Sequence, residues 1–243
     1  SPVADAEIVC VMNFALNALG IKHKIRINNR QVLNGLLAGL GRESAGVAVL
    51  RAIDKLEKLG EDTVRKELTD EAQLAAEHIE QVFRFLALSR SNASNADLLK
   101  ELKLFFAGND LALRGIDELS TVIEVAGASG LDDAVCGIDL SIARGLEYYT
   151  GSVFETVMTE LPEIGSICSG GRYNDLAGLY TKKELPGVGA SIGLNRILGA
   201  YEALNRLPDK TSTAVVLVTV LDSDSFPQCM KLTNELRRAG VPA

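Results

Sequence analysis

Two histidines, His23 and His78, and four cysteines, Cys10, Cys136, Cys168 and Cys229, are all that 243 residues offer of the side chains most used for zinc binding or nucleophilic chemistry. Neither histidine has a metal-ligand partner three or four residues away, so histidine-based metal hydrolysis and triad chemistry lack their central residue. No CxxC or other close cysteine pair occurs, and neither a zinc site nor a disulfide framework is signalled. The four thiols read as small buried side chains in a reducing cytoplasm. No run of about 18 apolar residues is present to span a membrane. The opening stretch, Ser1 to Glu7, lacks the charged-then-apolar layout of a signal peptide, and a chain that starts without Met reads as a piece of a longer protein. The dipeptide Gly-Lys is absent, which excludes a GxxxxGK[ST] phosphate loop.

What is present is the composition of a soluble globular protein, with 47% hydrophobic and 23% charged residues. Lys plus Arg number 25 against 32 Asp plus Glu, a formal net charge of −7. That balance argues against a surface that binds nucleic acid everywhere, while leaving room for one local basic groove. Chemistry must come from Arg, Glu, Asp, Tyr and the backbone.

The chain changes character twice. From Ala4 to Leu19, Ile8, Val9, Met12, Leu16 and Leu19 recur at helical spacing up to Gly20. Ile21 to Asn29 then alternates apolar and polar residues, which predicts a strand with Ile21, Ile25 and Ile27 facing in. Residues 46–127 read as successive amphipathic helices without a strand. Leu50, Ile53, Leu56 and Leu59 form one stripe ended by Gly60; a second helix is expected from Thr69, a third capped by Ser94 or Asn95, and a fourth from about Asp117 to Gly127. Ser89 to Asn95 is the most loop-like stretch. After Leu131 strand patterns return over 136–143, 152–158, 165–168 and 188–194, the last running into a helix over 195–204. Helices segregated from consecutive strands predict an α+β fold with an antiparallel sheet and an all-helical insertion. Leu207 to Thr213 reads as a linker. Ala214 to Leu221 reads as a buried parallel strand, and Ser225 to Ala239 as a helix that opens a further domain.

Three arginines stand beside glycines at element boundaries. Arg144 lies in Ile142-Ala-Arg-Gly-Leu-Glu-Tyr-Tyr-Thr-Gly, Arg172 in Ser169-Gly-Gly-Arg-Tyr-Asn-Asp-Leu, and Arg196 follows Gly193 where a strand becomes a helix. A guanidinium at a strand end can hold an anion bidentately, adjacent tyrosines offer hydroxyls and ring faces, and paired glycines let a backbone approach closely. Any one of these arginines alone reads first as half of a structural ion pair. Their recurrence points to a site for a polyanion and a small polar molecule. Gly187-Val-Gly-Ala-Ser-Ile-Gly misses the dinucleotide fingerprint by one residue, and its glycines read equally well as packing features.

In this order the motifs resemble those of the histidyl-tRNA synthetases. The Arg144 segment looks like the family's first histidine-specific motif, the Arg172 segment like the second, and Gly187 to Leu198 is similar to motif 3 of class II synthetases. Ser1 to Ile8 resembles the stretch after motif 2, Ile25 to Arg30 the strand that follows it, and Glu235-Leu-Arg-Arg-Ala-Gly part of the anticodon-binding domain. The resemblance implies a partial class II catalytic domain, in which residues 1–45 follow motif 2 and residues 128–207 carry the histidine motifs and motif 3. It further implies a helical insertion domain over 46–127, and a linker with a truncated α/β anticodon-binding domain over 208–243. The implied activity is histidine–tRNA ligation in the cytoplasm by a homodimer without membrane contact, with histidine, ATP with Mg²⁺ and tRNA(His) as partners and no tightly bound protein metal. Arg144 is implied as the catalytic group on the α-phosphate, and Arg144, Arg196 and Gly193 as ATP-binding. Tyr148, Tyr149, Tyr173, Gly170 and Gly171 are implied for histidine.

The sequence departs from the family at Glu147, where Asp is usual, at Asn174-Asp175, which reverses an Asp-Asn order, and at Asn195, which replaces an acidic residue. Motifs 1 and 2 are not in this chain, so it is expected to be inactive alone. A non-catalytic paralogue, either a regulatory subunit of ATP phosphoribosyltransferase or a tRNA-sensing pseudo-synthetase domain, is the alternative. A plain binding or scaffold module, with merely structural arginines, is a third reading.

Overall fold

The computed structural model describes residues 1–89, 94–145, 148–207 and 212–243, in two compact units, Ser1–Ala200 and Tyr201–Ala243. Glu147, the middle of the expected loop over 89–95 and most of the expected linker over 207–213 lie outside the described residues. The first unit is built on a five-stranded sheet in the order β2-β1-β3-β4-β5. Its strands are β1 (His23–Asn29), β2 (Cys136–Ile138), β3 (Ser152–Met158), β4 (Ser166–Tyr173) and β5 (Gly187–Ile192). β3, β4 and β5 pair antiparallel, as the short links between consecutive strands predict; β1, far away in sequence, also pairs antiparallel with β3, whereas β2 runs parallel to β1. A parallel neighbour needs a crossover, and the segment between β1 and β2 supplies one whose described residues form helices and their connections, with no strand.

That crossover holds α2 (Arg30–Gly39), α3 (Gly46–Asp54), α4 (Leu56–Asp70), α5 (Ala76–Leu88), α6 (Asn95–Phe105) and α7 (Asp110–Ala128). Before β1 comes α1 (Pro2–Ala18), with proline in its first turn. α2 was hidden by its own cap: Asn29 reads as the polar end of the strand, but its side chain also accepts a hydrogen bond from the Gln31 N–H (2.9 Å) and starts a helix. Likewise α7 begins well before Asp117, because Asn109 caps it by accepting from the Ala112 N–H (3.0 Å). Thr69 does not start a helix. Its hydroxyl donates back to the Arg65 carbonyl (2.9 Å) and continues α4 to Asp70. The expected stop at Gly60 appears as a break inside α4, where φ is +78°.

α1 and α2 each pack on α7, and all three pack against the sheet. Ile25 and Ile27 of β1 face this layer. Strand partners share a face, so Phe154 (opposite Ile27) and Thr156 (opposite Ile25) face it too, while Arg26 and its partner Glu155 face the other side. On β4, Gly170 pairs with Phe154, so Gly170 and Arg172 lie on the helix-covered face, and Gly171 and Tyr173 on the opposite one.

In the second unit α9 (Phe226–Arg238) is the expected helix, followed by Gly240. The expected strand over 214–221 is not one. The N–H groups of Val215 and Val216 both donate to the Pro242 carbonyl (3.0 and 3.2 Å), Leu217 and Leu221 are 85% and 88% exposed, and no strand among the described residues lies alongside. An apolar, β-branched run becomes a strand only with a neighbour to pair with.

Two measurements follow from this packing. At Gly35 of α2 an added Cβ would sit 2.6 Å from the Ala112 Cβ and 2.8 Å from its backbone N on α7. Gly→Ala inside a helix ordinarily gains about 1 kcal/mol; here the backbone clash reverses the sign, and urea unfolding of Gly35→Ala is expected to show a loss of about 1–3 kcal/mol. Burial pushes the Cys136 thiol up to about 12 and the Cys168 thiol up to about 11, while Cys10 and Cys229 are half-buried. Alkylation near pH 8 is expected to modify Cys10 and Cys229 in the native protein, and Cys136 and Cys168 only after denaturation.

Candidate active site

Arg144 reaches the open face of the sheet on a segment held by buried polar groups. After β2, Ser141 donates through its N–H and its hydroxyl to Asp139 (2.9 and 2.6 Å). The buried Asn28 amide donates to the carbonyls of Leu140 and Ile142 at 3.2 and 3.0 Å. These bonds satisfy carbonyls that no strand pairs, and they fix the backbone just ahead of Arg144. Gly145 then turns the chain at φ +68°, where any Cβ would enter the Tyr149 ring.

The Arg144 guanidinium meets Glu155 of β3 at 2.7 Å (Nη2 to Oε1) and lies 4.0 Å from Asp54 at the end of α3. The other Glu155 oxygen is 3.2 Å from Arg26 Nη2 on β1, and Arg26 Nη1 is 2.9 Å from Glu57 and 3.4 Å from Asp139. The Glu155 side chain is 6% exposed. Burial raises its pKa, with Arg144 and Arg26 pulling the other way. Burial also works against the Arg26 charge, but Glu155, Glu57 and Asp139 outweigh it and hold the pKa above the ordinary value. Both Arg26 and Arg144 keep a buried Nε without a hydrogen-bond partner among the described residues.

A cavity of about 450 Å³ opens on these groups, lined among others by Arg26, Arg144, Glu155, Asp54, Ser166 and Arg196. Arg196, in the first turn of α8 (Leu194–Ala203), donates through Nη1 to the Ser166 carbonyl. Gly193 precedes it at the strand-to-helix junction, its N–H donating to Ile167 O (2.8 Å). The structure thus brings Arg144 and Arg196, more than 50 residues apart, to one cavity. A second cavity of about 370 Å³ joins Arg144 to Tyr148, Gly145, Lys55 and Arg51.

The other expected site residues line neither cavity. Tyr149 lies between Gly145 and Gly171, within 3 Å of where a Cβ on either would stand, and its ring centroid is 4.3 Å from that of Tyr148. Burial, then the hydrogen bond with Tyr148, raises the Tyr149 pKa. The Tyr173 ring covers Gly187, with its hydroxyl over Gly189. Gly170 backs onto Gly189 and Ala190 of β5 on the helix-covered side.

Arg172 is not part of this constellation. Strand alternation turns it towards α1, where Nε and Nη2 bind the fully buried Asp5, Nη2 also meets the Ser1 carbonyl (2.7 Å), and Nη1 reaches Asn174 (3.3 Å). Ser152 completes the Asp5 shell at 2.7 Å. All three guanidinium nitrogens are occupied, so this arginine ties α1 to β4. Arg26, Glu155, Asp54 and Glu57 escaped the sequence reading. Their only signal was a basic residue at one polar position of the alternating β1, one carboxylate inside β3, and a charged stretch, Asp54 to Lys58, across the junction of α3 and α4. Among the described residues no group of three or more His, Cys, Asp and Glu is placed to hold a metal ion, and no helix is long and apolar enough to cross a membrane.

The family model described as histidyl-tRNA synthetase matches residues 1–197. A histidine–tRNA ligase of Rhodopirellula baltica is 44% identical over 242 residues, covering 99% of this chain and 54% of that protein. One from Clostridium tetani is 41% identical over 239 residues, covering 98% and 53%. The crystal structure of histidyl-tRNA synthetase from Nostoc sp. PCC 7120 superposes with a TM-score of 0.80 at 34% identity, covering 99% of this chain and 56% of that one. The chain spans about half the length of the curated relatives it matches.

Arg172→Met would leave Asp5 charged, buried and without its ion-pair partner. Urea unfolding is expected to show a loss of about 3–5 kcal/mol; unchanged stability would return Arg172 to the list of ligand-binding groups.

Proposed function

Because the chain belongs to the histidyl-tRNA synthetase family, we propose that it supplies part of an enzyme that activates histidine with ATP to histidyl-adenylate and pyrophosphate, then transfers the histidyl group to the terminal ribose of tRNA(His). The activity is that of the whole protein, a cytoplasmic homodimer with no membrane contact, and this chain alone is inactive without motifs 1 and 2. Residues 1–45 and 128–207 are assigned to the catalytic domain, 46–127 to the insertion and 208–243 to a linker and the start of the anticodon-binding domain. The observation that carries the reading is the meeting of Arg144 and Arg196 at one cavity. Retention of both favours the ligase over a regulatory subunit of ATP phosphoribosyltransferase or a tRNA-sensing pseudo-synthetase domain.

Adenylate formation joins the histidine carboxylate oxygen to the α-phosphorus as the bond to the pyrophosphate oxygen breaks. It needs alignment and positive charge rather than a protein nucleophile. Arg144 is assigned to the α-phosphate, whose non-bridging oxygens gain charge in the transition state, and Arg196, with Gly193 at its turn, to the γ-phosphate of a bent ATP. Tyr148, Tyr149 and Tyr173, with Gly170 and Gly171 beneath, are assigned to the histidine side. Glu155, Asp54 and Glu57 offset much of the arginine charge in the cavity, so the polyphosphate also requires the Mg²⁺ that accompanies ATP.

The full-length protein is expected to catalyse ATP–pyrophosphate exchange that depends on L-histidine. Arg144→Lys keeps a charge but loses the planar fork, and is expected to lower that exchange by about 10²–10³. Near-normal exchange in this variant would remove Arg144 from its role.

A further inference from the structure

We propose that Glu155 is a positioning residue for Arg144, an inference that rests on the synthetase reading. Arg144 sits on a loop, and its long side chain has many rotamers to lose before it can hold a phosphate. The contact that selects one of them is the 2.7 Å bond to Glu155, which lies on the central strand and is almost entirely buried. Glu155 is itself aimed from behind: it stands opposite Arg26 in the β1–β3 register, with its second oxygen on the Arg26 guanidinium (3.2 Å). Arg26 in turn is held by Asp139 and Glu57.

The carboxylate therefore bridges two guanidinium groups, one built into the sheet and one presented to the cavity. When Arg144 turns part of its charge to the α-phosphate, Arg26 remains as the partner of Glu155, and no buried carboxylate is left alone. In this role Glu155 acts through Arg144, whose buried Nε has no hydrogen-bond partner among the described residues. A glutamine cannot replace it. An amide offers one acceptor oxygen and points N–H donors at the second guanidinium, so Arg144 would lose its fixed position while the strand keeps its shape.

The test is a double-mutant cycle in the full-length enzyme, read as histidine-dependent adenylate formation in single turnovers with ATP varied. Glu155→Gln is expected to lower the maximal rate by about 10- to 100-fold, with a much smaller change in the KM for ATP. Glu155→Asp, which keeps the charge, recovers part of the loss. In the Arg144→Lys background Glu155→Gln costs nothing further, because the group it positions is gone. Equal losses in both backgrounds mean a structural role and overturn the proposal, as does an undiminished rate in Glu155→Gln. Should Glu155→Gln not fold, Glu155→Asp enters the same cycle with the same criteria. Absence of histidine-dependent adenylate formation in the unsubstituted enzyme overturns the synthetase reading and this inference with it; a histidine-dependent wild type with an additive cycle overturns this inference alone.

Discussion

The register of β3 between β1 and β4 is the constraint from which the arrangement of the site follows. Side chains on a strand alternate between faces, so one register assigns every residue on three strands to a side. With Ile27 opposite Phe154 and Arg26 opposite Glu155, the apolar partners meet the α1, α2 and α7 layer while the charged pair meets the cavity. The same alternation, carried across β4, sends Arg172 to the helices and Tyr173 to the open face. A slip of one residue in β3 would exchange its two faces and bury Glu155 against the apolar layer, away from both guanidinium groups, at the cost of an unpaired buried charge.

Two buried ion-pair systems stand on opposite faces, and their hydrogen-bond accounts differ. Asp5, Arg172, Ser152, Asn174 and the Ser1 carbonyl form a closed set in which every guanidinium nitrogen is used. Burying a charge pair is costly, and a closed set limits that cost; its work is to hold α1 on β4. The system around Glu155 is open, since Arg26 and Arg144 each retain a buried Nε beside the cavity that has no partner among the described residues. A spare donor next to a cavity is a feature of a place that receives an anion, not of a closed structural tie.

Much of the architecture was legible in the residues because local chemistry controls it. The period of α1, the alternation of β1, the helical character of the middle and the short links between β3, β4 and β5 all express side-chain spacing within one element. Where the reading missed, a single side chain had two possible uses. Asn29 looked like the polar end of a strand and is also a helix cap, Asn109 moved the start of α7 upstream, and Thr69 bonded backwards along α4 instead of opening a new helix. The run over 214–221 has a strand's composition but lacks, among the described residues, the neighbouring strand that would make it one. The site divided in the same way: Arg144 and Arg196 announced themselves by their glycines, whereas Arg26 and Glu155 each looked like an ordinary polar position on a strand.

The sequence by itself determined the chemistry available to this protein and its family, since the ordered motifs around Arg144, Arg172 and Arg196 are local and carry their own residue types. It determined the five strands of the sheet and most of the helices as well, though not that the run over 214–221 would stay unpaired. Only the tertiary structure decided which of three similar arginines line a cavity and which one holds the fold together, and which carboxylates stand beside them. Alternation along a strand is written in the chain, but its phase relative to a core exists only after strands distant in sequence have paired. That pairing put Arg144 and Arg196 at one cavity, gave Arg144 to Glu155, and turned Arg172 away to Asp5.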